Sequence, residues 1–242
     1  MTQTLDPADF YTGLVADLYG PLRSHVPDAE PYAQFVGAHG EPALELGCGD
    51  GDPLLELRAR GLDVDGVDSS ADMLVRARRR AAAAGVEVDL HHARMQALDL
   101  PRRYRSIYLA GPTFCLLPDD ETALAALRSI REHLTPDGAV LVPLWVPPPT
   151  PHDELGVPRT DVVDGTTISV TILGETHDVE SRTRRSRLLY ERSGPEGTTS
   201  LEREWTLHWY TVAGFTALAA EAGLAGGAVG PDDSPVFTLV RA

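Results

Sequence analysis

The chain has 242 residues, 43% of them hydrophobic, and carries a formal net charge of −15. That length can bury a core without disulfides or metals. The acidic balance argues against a nucleic-acid partner, because phosphate binding draws on a basic surface. No apolar run approaches the roughly 20 residues that cross a bilayer, and the N-terminus lacks the features of a signal peptide. With only Cys48 and Cys115, a disulfide framework is not expected, so we expect a cytoplasmic protein with no membrane partner.

The N-terminal region, residues 1–40, is predicted to be a helical segment. Apolar Leu14, Val15, Leu18 and Leu22 recur at helical spacing. We therefore expect helix from about residue 7 to residue 39.

Strands and helices then alternate along the chain. Alternation of this kind predicts a parallel sheet with right-handed crossovers. Strands are predicted near 43–46, 63–67, 86–90, 106–110 and 139–144, and helices near 53–60, 70–84 and 120–134.

The residue composition of the sequence changes after Val146. The proline-rich run 147–151 cannot continue a central strand. From about 160 to 210 the chain is rich in Thr, Val, Ile and Arg and is punctuated by turn signals, which predicts an antiparallel meander of three or four strands. A last helix near 211–222 and two strands near 224–229 and 235–240 would complete the main sheet.

A glycine loop follows the first predicted strand, with Gly47, Gly49 and Gly51 at alternate positions and Asp68 seventeen residues beyond. Glycines let a backbone approach a ligand closely, because no Cβ intervenes. A carboxylate at the end of the second strand is placed to accept hydrogen bonds from a ribose. The pattern indicates a nucleoside pocket at the carboxyl edge of the sheet.

The spacing of the glycines argues against a dinucleotide. The dinucleotide fingerprint places glycine at the first, third and sixth positions, and the sixth position here is Asp52. Asp50, inside the loop, would also repel a pyrophosphate. An NAD-dependent dehydrogenase is therefore disfavoured.

The E-x-G-x-G-x-G run at residues 45–51 resembles motif I of the class I S-adenosylmethionine (SAM) methyltransferases, and residues 64–74 look like motif II of that family. The resemblance implies an α/β, Rossmann-like seven-stranded sheet of order 3-2-1-4-5-7-6, its last strand antiparallel. It also implies SAM as the cofactor and S-adenosylhomocysteine as the product. A helical N-terminal lid (1–40), a SAM-binding domain (41–146 and 211–242) and a β insert (147–210) are similar to glycine N-methyltransferase and the macrolide sugar N,N-dimethyltransferases.

The same resemblance implies the cofactor contacts. The three loop glycines would line the methionine end, and Glu45 would anchor its amino group through the loop. Asp68, with Ser69 beside it, would take the ribose hydroxyls. Met73 either packs against adenine or belongs to the helix core.

Two further segments complete the expected cofactor site. Relatives commonly show Gly-Asp-Met where this chain has Ala93-Arg94-Met95, so the adenine contact would fall to the backbone of Arg94 and Met95, and the Arg94 side chain either faces solvent or stacks on the ring. Ala110, at the end of the fourth strand, belongs to a small-residue floor facing the transferred methyl group. We expect no metal site.

Candidate catalytic residues lie outside these motifs. Tyr11 and Tyr19 fall in the lid, and residues 16–19 resemble the segment whose tyrosine closes over the sulfonium in related enzymes; packed lid aromatics are the alternative. Strand alternation places His208 and Tyr210 on one face. If that face borders the cleft, His208 is a general-base candidate, and otherwise it is a structural histidine. Trp145 could form a wall for an aromatic or apolar substrate.

We therefore expect a SAM-dependent methyltransferase acting on N or O of a small molecule, such as a natural-product intermediate. One alternative is a SAM-binding protein of this fold that cyclises or decarboxylates without transferring a methyl group. Another is a non-enzymatic dimeric scaffold. The β insert also offers a strand edge that would allow two protomers to pair.

Overall fold

The structure is a computed structural model that describes residues 7–23 and 26–242. Residues 1–6 and 24–25 of the predicted lid lie outside this part. The helices are α1 (Leu14–Leu22), α2 (Glu30–His39), α3 (Leu54–Ala59), α4 (Ala71–Ala84), α5 (Asp120–His133) and α6 (Val212–Glu221). The strands are β1 (Ala43–Leu46), β2 (Val64–Asp68), β3 (Leu90–His92), β4 (Tyr104–Tyr108), β5 (Leu134–Pro143), β6 (Pro158–Val163), β7 (Thr166–Asp178), β8 (Thr183–Gly194), β9 (Gly197–His208), β10 (Leu224–Val229) and β11 (Val236–Arg241).

The main sheet has the order β10-β11-β5-β4-β1-β2-β3. Numbered without the four insert strands, this is the order 3-2-1-4-5-7-6 that the resemblance implied. Strands β1 to β5 pair in parallel, and β11 runs antiparallel to β5. The predicted fold class is confirmed.

The N-terminal region is not one helix, as the spacing suggested. A 3₁₀ turn at Pro7–Asp9 precedes α1, and Arg23 ends α1 in an extended conformation. Val26 is followed by proline, which disfavours helical geometry. The Asp28 carboxylate then accepts a hydrogen bond from the Glu30 N–H at the start of α2.

Strand β3 begins four residues later than predicted. Gly85 caps α4 in the left-handed conformation, and the Val86 N–H still donates to the Ala81 carbonyl. Because Val86 completes the helix end, pairing with β2 starts only at Leu90. Strand β4 lies two residues earlier than predicted, with the Tyr104 hydroxyl donating to buried Asp65.

Helices cover both faces of the main sheet. In α5, buried Ala123, Leu127 and Ile130 recur at helical spacing, and the Asp119 carboxylate caps its N-terminus through the Thr122 N–H. This packing leaves the carboxyl ends of β1, β2 and β4 at a common edge.

The insert forms a second, antiparallel sheet of order β6-β7-β8-β9. Helix α1 packs on it, with Val15, Leu18 and Leu22 in one apolar cluster with Leu188 and Tyr190. The lid and the insert thus face each other above the edge of the main sheet.

Candidate active site

A cavity of about 370 Å³ opens at the carboxyl ends of β1 and β2, beneath the 3₁₀ turn and α1. It brings together nine of the residues expected at a cofactor: Tyr11, Tyr19, Gly47, Gly49, Asp68, Ser69, Met73, Arg94 and Met95. Their individual roles toward a ligand remain predictions.

Asp68 ends β2 and forms part of the wall of this first cavity. Its Oδ2 accepts a hydrogen bond from the Gly49 N–H at 2.8 Å, and its Oδ1 accepts one from the Ser70 N–H at 2.8 Å. Burial raises the pKa of Asp68, whereas the two backbone donors oppose that rise. Each oxygen keeps a further lone pair, so the carboxylate can accept the two vicinal hydroxyls of a ribose.

The glycine loop lines the first cavity in backbone conformations that residues with a side chain rarely adopt. Gly47 has φ 71°, and a Cβ there would lie 2.4 Å from Thr113 Cγ2. Gly49 has φ 53°, and a Cβ would lie 3.4 Å from Met73 Cε. The loop backbone itself therefore forms the wall, and it fits a nucleoside that carries an amino-acid end.

The two loop carboxylates are neutralised from both sides. Arg23, at the end of α1, pairs with Asp50 at 3.3 Å and also with Asp52. Arg80 of α4 pairs with Asp50 at 3.0 Å and with Asp52 at 2.7 Å. We call these four residues the arginine clamp; it ties the lid to the glycine loop.

Hydrogen bonds to main-chain groups hold the lid over the first cavity. The Ser69 hydroxyl donates to the Ala8 carbonyl at 3.1 Å, and the Ser70 hydroxyl donates to the Tyr11 carbonyl at 2.5 Å. The Ser69 side chain therefore binds the lid. Arg94, largely exposed at the rim, lies 3.9 Å from Asp9 in an ion pair.

A second cavity of about 660 Å³ lies between α1 and the insert. Tyr11 and Tyr19 line both cavities. Their rings pack edge to face with centroids 5.4 Å apart, and burial raises the pKa of both hydroxyls. The two tyrosines thus form a shared wall between the first cavity and the larger second cavity.

The second cavity offers little that could act as a base near neutral pH. Among its described lining residues the ionisable side chains are three arginines, three tyrosines and one exposed carboxylate, Glu154. Burial raises the pKa of Tyr190 to about 12. The tyrosines therefore stay protonated.

His208 does not reach either cavity, contrary to its expected role. The side chain is buried, its Nδ1 lies 2.9 Å from the Tyr210 hydroxyl and its Nε2 lies 3.7 Å from Asp120. Burial lowers the pKa of His208. These contacts join the end of β9 to the start of α5, which is a structural role.

Three predicted cofactor residues also lie outside the first cavity. Gly51 has φ 105°, and a Cβ there would lie 2.8 Å from Leu55 Cδ1, so it serves the packing of α3. Ala110 accepts a hydrogen bond from Thr113 through its carbonyl at 3.4 Å. Glu45 lies in β1 behind the loop.

Glu45 is fully buried. Its Oε2 accepts a hydrogen bond from the Tyr108 hydroxyl at 2.7 Å, whereas its Oε1 has no partner among the described residues. Burial raises the pKa of Glu45 to about 8, against the opposing effect of Tyr108. The carboxyl is therefore protonated at neutral pH, and its hydrogen bond with Tyr108 joins β1 to β4.

Glu45→Gln is expected to flatten the pH dependence of stability. Between the unfolded pKa of 4.5 and the folded pKa of about 8, the unfolded chain loses a proton that the folded chain keeps. The free energy of unfolding therefore falls as pH rises, by at most about 1.4 kcal/mol per unit in this window. Urea unfolding across the window should show a smaller fall in Glu45→Gln than in wild type or in the exposed control Glu87→Gln. Equal slopes in all three would contradict the assignment.

Sequence reasoning missed part of the first cavity's wall. Leu116, Leu117 and Pro118, after β4, and Thr122 in α5 line it. They carry no motif, but they follow a strand whose carboxyl end meets the same edge as β1.

Within the described residues, no group of three or more His, Cys, Asp or Glu side chains could hold a metal ion. None of the described helices is long and apolar enough to cross a membrane.

Comparisons with known proteins agree with this geometry. A family model described as a methyltransferase domain matches residues 43–138. The dTDP-3-amino-3,6-dideoxy-alpha-D-glucopyranose N,N-dimethyltransferase of Streptomyces fradiae is 33% identical over 153 residues, which are 60% of this chain and 58% of that protein. The dTDP-3-amino-3,4,6-trideoxy-alpha-D-glucopyranose N,N-dimethyltransferase of Streptomyces venezuelae is 31% identical over 172 residues, 68% of each.

Solved structures share the whole fold. DesVI from Streptomyces venezuelae superposes with a TM-score of 0.74 at 24% identity, covering 98% of this chain and 99% of that one. The CcbJ methyltransferase from Streptomyces caelestis gives 0.76 at 24% identity, covering 98% and 100%.

Proposed function

We propose that this chain, which belongs to the class I SAM-dependent methyltransferases, methylates the amine nitrogen of a small molecule such as an amino sugar. The observation that carries the proposal is the meeting of two cavities at Tyr11 and Tyr19. The described residues that line the second cavity include no histidine and a single carboxylate, the exposed Glu154. The first cavity takes the cofactor and the second takes the acceptor. The names of the two Streptomyces relatives support the choice of an amino sugar.

Positioning accounts for most of the expected catalysis. SAM supplies an electrophilic methyl group on its sulfonium. Holding an acceptor in line with that group can contribute about 7–11 kcal/mol. In this chain Asp68 binds the ribose, the backbone at Gly47 and Gly49 holds the amino-acid end, and Tyr11 and Tyr19 orient the acceptor. The lid excludes water.

A nitrogen acceptor matches the chemistry of the second cavity. A neutral amine already has a free lone pair, whereas a hydroxyl acceptor needs a general base with a suitable pKa. The tyrosines of the shared wall are held protonated by burial, and His208 lies elsewhere. The amine would therefore enter in its neutral form, with its proton lost to solvent.

The test is incubation with SAM and the amino sugar nucleotide named for the Streptomyces fradiae relative. Mass spectrometry should show one or two methyl groups added to the sugar, with one molecule of S-adenosylhomocysteine released for each. The rate should rise with pH to a plateau set by the pKa of the substrate amine, and His208→Gln should leave that profile unchanged. A profile that shifts in His208→Gln would restore that residue as a base, and SAM binding with an unmethylated product would favour a cyclase or decarboxylase.

Two features beyond the reaction are also proposals. A homodimer through the insert is supported by β6, an edge strand of the second sheet whose six residues are all exposed. A cytoplasmic location is supported by Cys48 and Cys115, which are both buried and unpaired.

A further inference from the structure

Arg184 is a buried cation on the wall of the second cavity. It lies in β8 and is 8% exposed. Its guanidinium carbon lies 5.1 Å from the ring centroid of Trp145 and 5.8 Å from that of Trp205. Both indole rings thus stabilise the cation through its contact with their faces, and they fix its orientation.

The protein leaves part of this guanidinium without hydrogen-bond acceptors. Its Nη1 donates to the Pro148 carbonyl at 3.0 Å, but its Nε has no hydrogen-bond partner among the described residues. Glu175 Oε2 lies 3.6 Å from that Nε, an ion-pair distance that is too long for a hydrogen bond. Buried donors without partners are rare and costly, so each requires an explanation.

Glu175 forms an ion pair with Arg184 but accepts no hydrogen bond from its Nε, and its oxygens already accept hydrogen bonds from neutral donors. They accept hydrogen bonds from the Thr150 N–H at 2.9 Å, the Thr150 hydroxyl at 2.7 Å and the Ser186 hydroxyl at 3.1 Å. Burial lowers the pKa of Arg184 despite this carboxylate. The acidic partner is satisfied, and the cation is not.

The rest of the second cavity adds positive charge near Arg184. Arg159 also lines it, and its guanidinium donates to a carbonyl, that of Leu22. Arg23 is neutralised by the arginine clamp, and Glu154 is the one lining carboxylate among the described residues. Besides the paired Arg23, the guanidinium groups of Arg159 and Arg184 therefore border this space in a protein whose net charge is −15.

We propose that Arg184, held between Trp145 and Trp205, is a recognition site for an anionic oxygen group of the acceptor, a carboxylate or a phosphate. A planar guanidinium suits both groups, since it can donate two parallel hydrogen bonds. The proposal rests on the proposed function only in assigning the second cavity to the acceptor. Arg184 is then a specificity-determining residue, and Arg159 adds long-range attraction.

Calorimetric titration of the S-adenosylhomocysteine-bound protein tests this site with inorganic pyrophosphate and succinate as probes. The variants are Arg184→Gln, Arg184→Met and the double variant Glu175→Gln/Arg184→Met, which leaves no buried carboxylate unpaired. Arg185→Gln is the matched control, because Arg185 is the next residue of β8 and is exposed. Thermal melting identifies the folded variants.

Wild type should bind at least one probe, and the folded Arg184 variants should bind it about tenfold more weakly or worse, which is 1.4 kcal/mol or more. Arg185→Gln should stay within about twofold of wild type. The probe that binds more tightly distinguishes carboxylate from phosphate. Binding of neither probe by wild type, or unchanged binding in a folded Arg184 variant, would overturn the site. Neither outcome depends on methyl transfer, so failure of the proposed reaction is detected separately.

Discussion

Asp68→Asn is expected to weaken SAM binding by about 100-fold or more. Hydrogen bonds to a charged group contribute about 1.5–3 kcal/mol each, and the carboxylate offers one free lone pair on each oxygen toward a ribose. An asparagine keeps the shape but replaces one acceptor oxygen with an NH₂ donor. The NH₂ group would lie where Asp68 now accepts a hydrogen bond from the Gly49 N–H or the Ser70 N–H, or where it would accept one from a ribose hydroxyl. Calorimetric titration with SAM measures the change.

Asp89→Asn is the matched control, since Asp89 is an exposed carboxylate one residue before β3. It should bind SAM as wild type does. Because Asp68 also satisfies two backbone donors, the melting temperature of each variant without ligand separates lost binding from lost folding. A folded Asp68→Asn protein with wild-type affinity would remove the ribose assignment.

Gly47→Ala is expected to lower the free energy of unfolding by about 2–5 kcal/mol. The left-handed backbone at φ 71° costs a side chain about 1–2 kcal/mol. A Cβ would also lie 2.4 Å from Thr113 Cγ2, and overpacking of this kind costs about 1–3 kcal/mol. Urea unfolding measures the sum, and SAM affinity should fall with it because both residues line the first cavity.

Two further variants separate the two costs. Gly61 has φ 90°, and a Cβ there would meet nothing within 4 Å, so Gly61→Ala carries the backbone cost alone. Thr113→Ser removes Cγ2, so adding it to Gly47→Ala should recover the packing part and leave the backbone part. If Gly47→Ala and Gly61→Ala lower the free energy of unfolding equally, Thr113 moves away from the added Cβ at no energetic cost.

The sequence was most informative where structure is set by neighbours along the chain. The loop at Gly47–Gly51 and Asp68 at the end of β2 follow from short-range rules on glycine conformation and strand ends. Alternating strands and helices gave the parallel sheet, and the resemblance gave its order. Element ends were predicted less accurately, because the Gly85 cap of α4 includes Val86 and β3 therefore begins later.

The second cavity could not be derived from local patterns. Its walls combine α1, the segment after β5 and all four insert strands, and which face of each strand looks inward depends on long-range packing. Alternation placed His208 and Tyr210 on one face, yet in the fold His208 is buried and its Nε2 lies 3.7 Å from Asp120 at the start of α5. In the sequence Arg184 is only one of several arginines, because its contacts with Trp145 and Trp205 form only when the chain folds.

A crystal structure with S-adenosylhomocysteine tests the central claim most directly. We expect both ribose hydroxyls within hydrogen-bond distance of Asp68, the amino-acid end along Gly47 and Gly49, and the sulfur beside the wall formed by Tyr11 and Tyr19. A nucleoside bound elsewhere, or one whose sulfur is sealed from the second cavity, would contradict it.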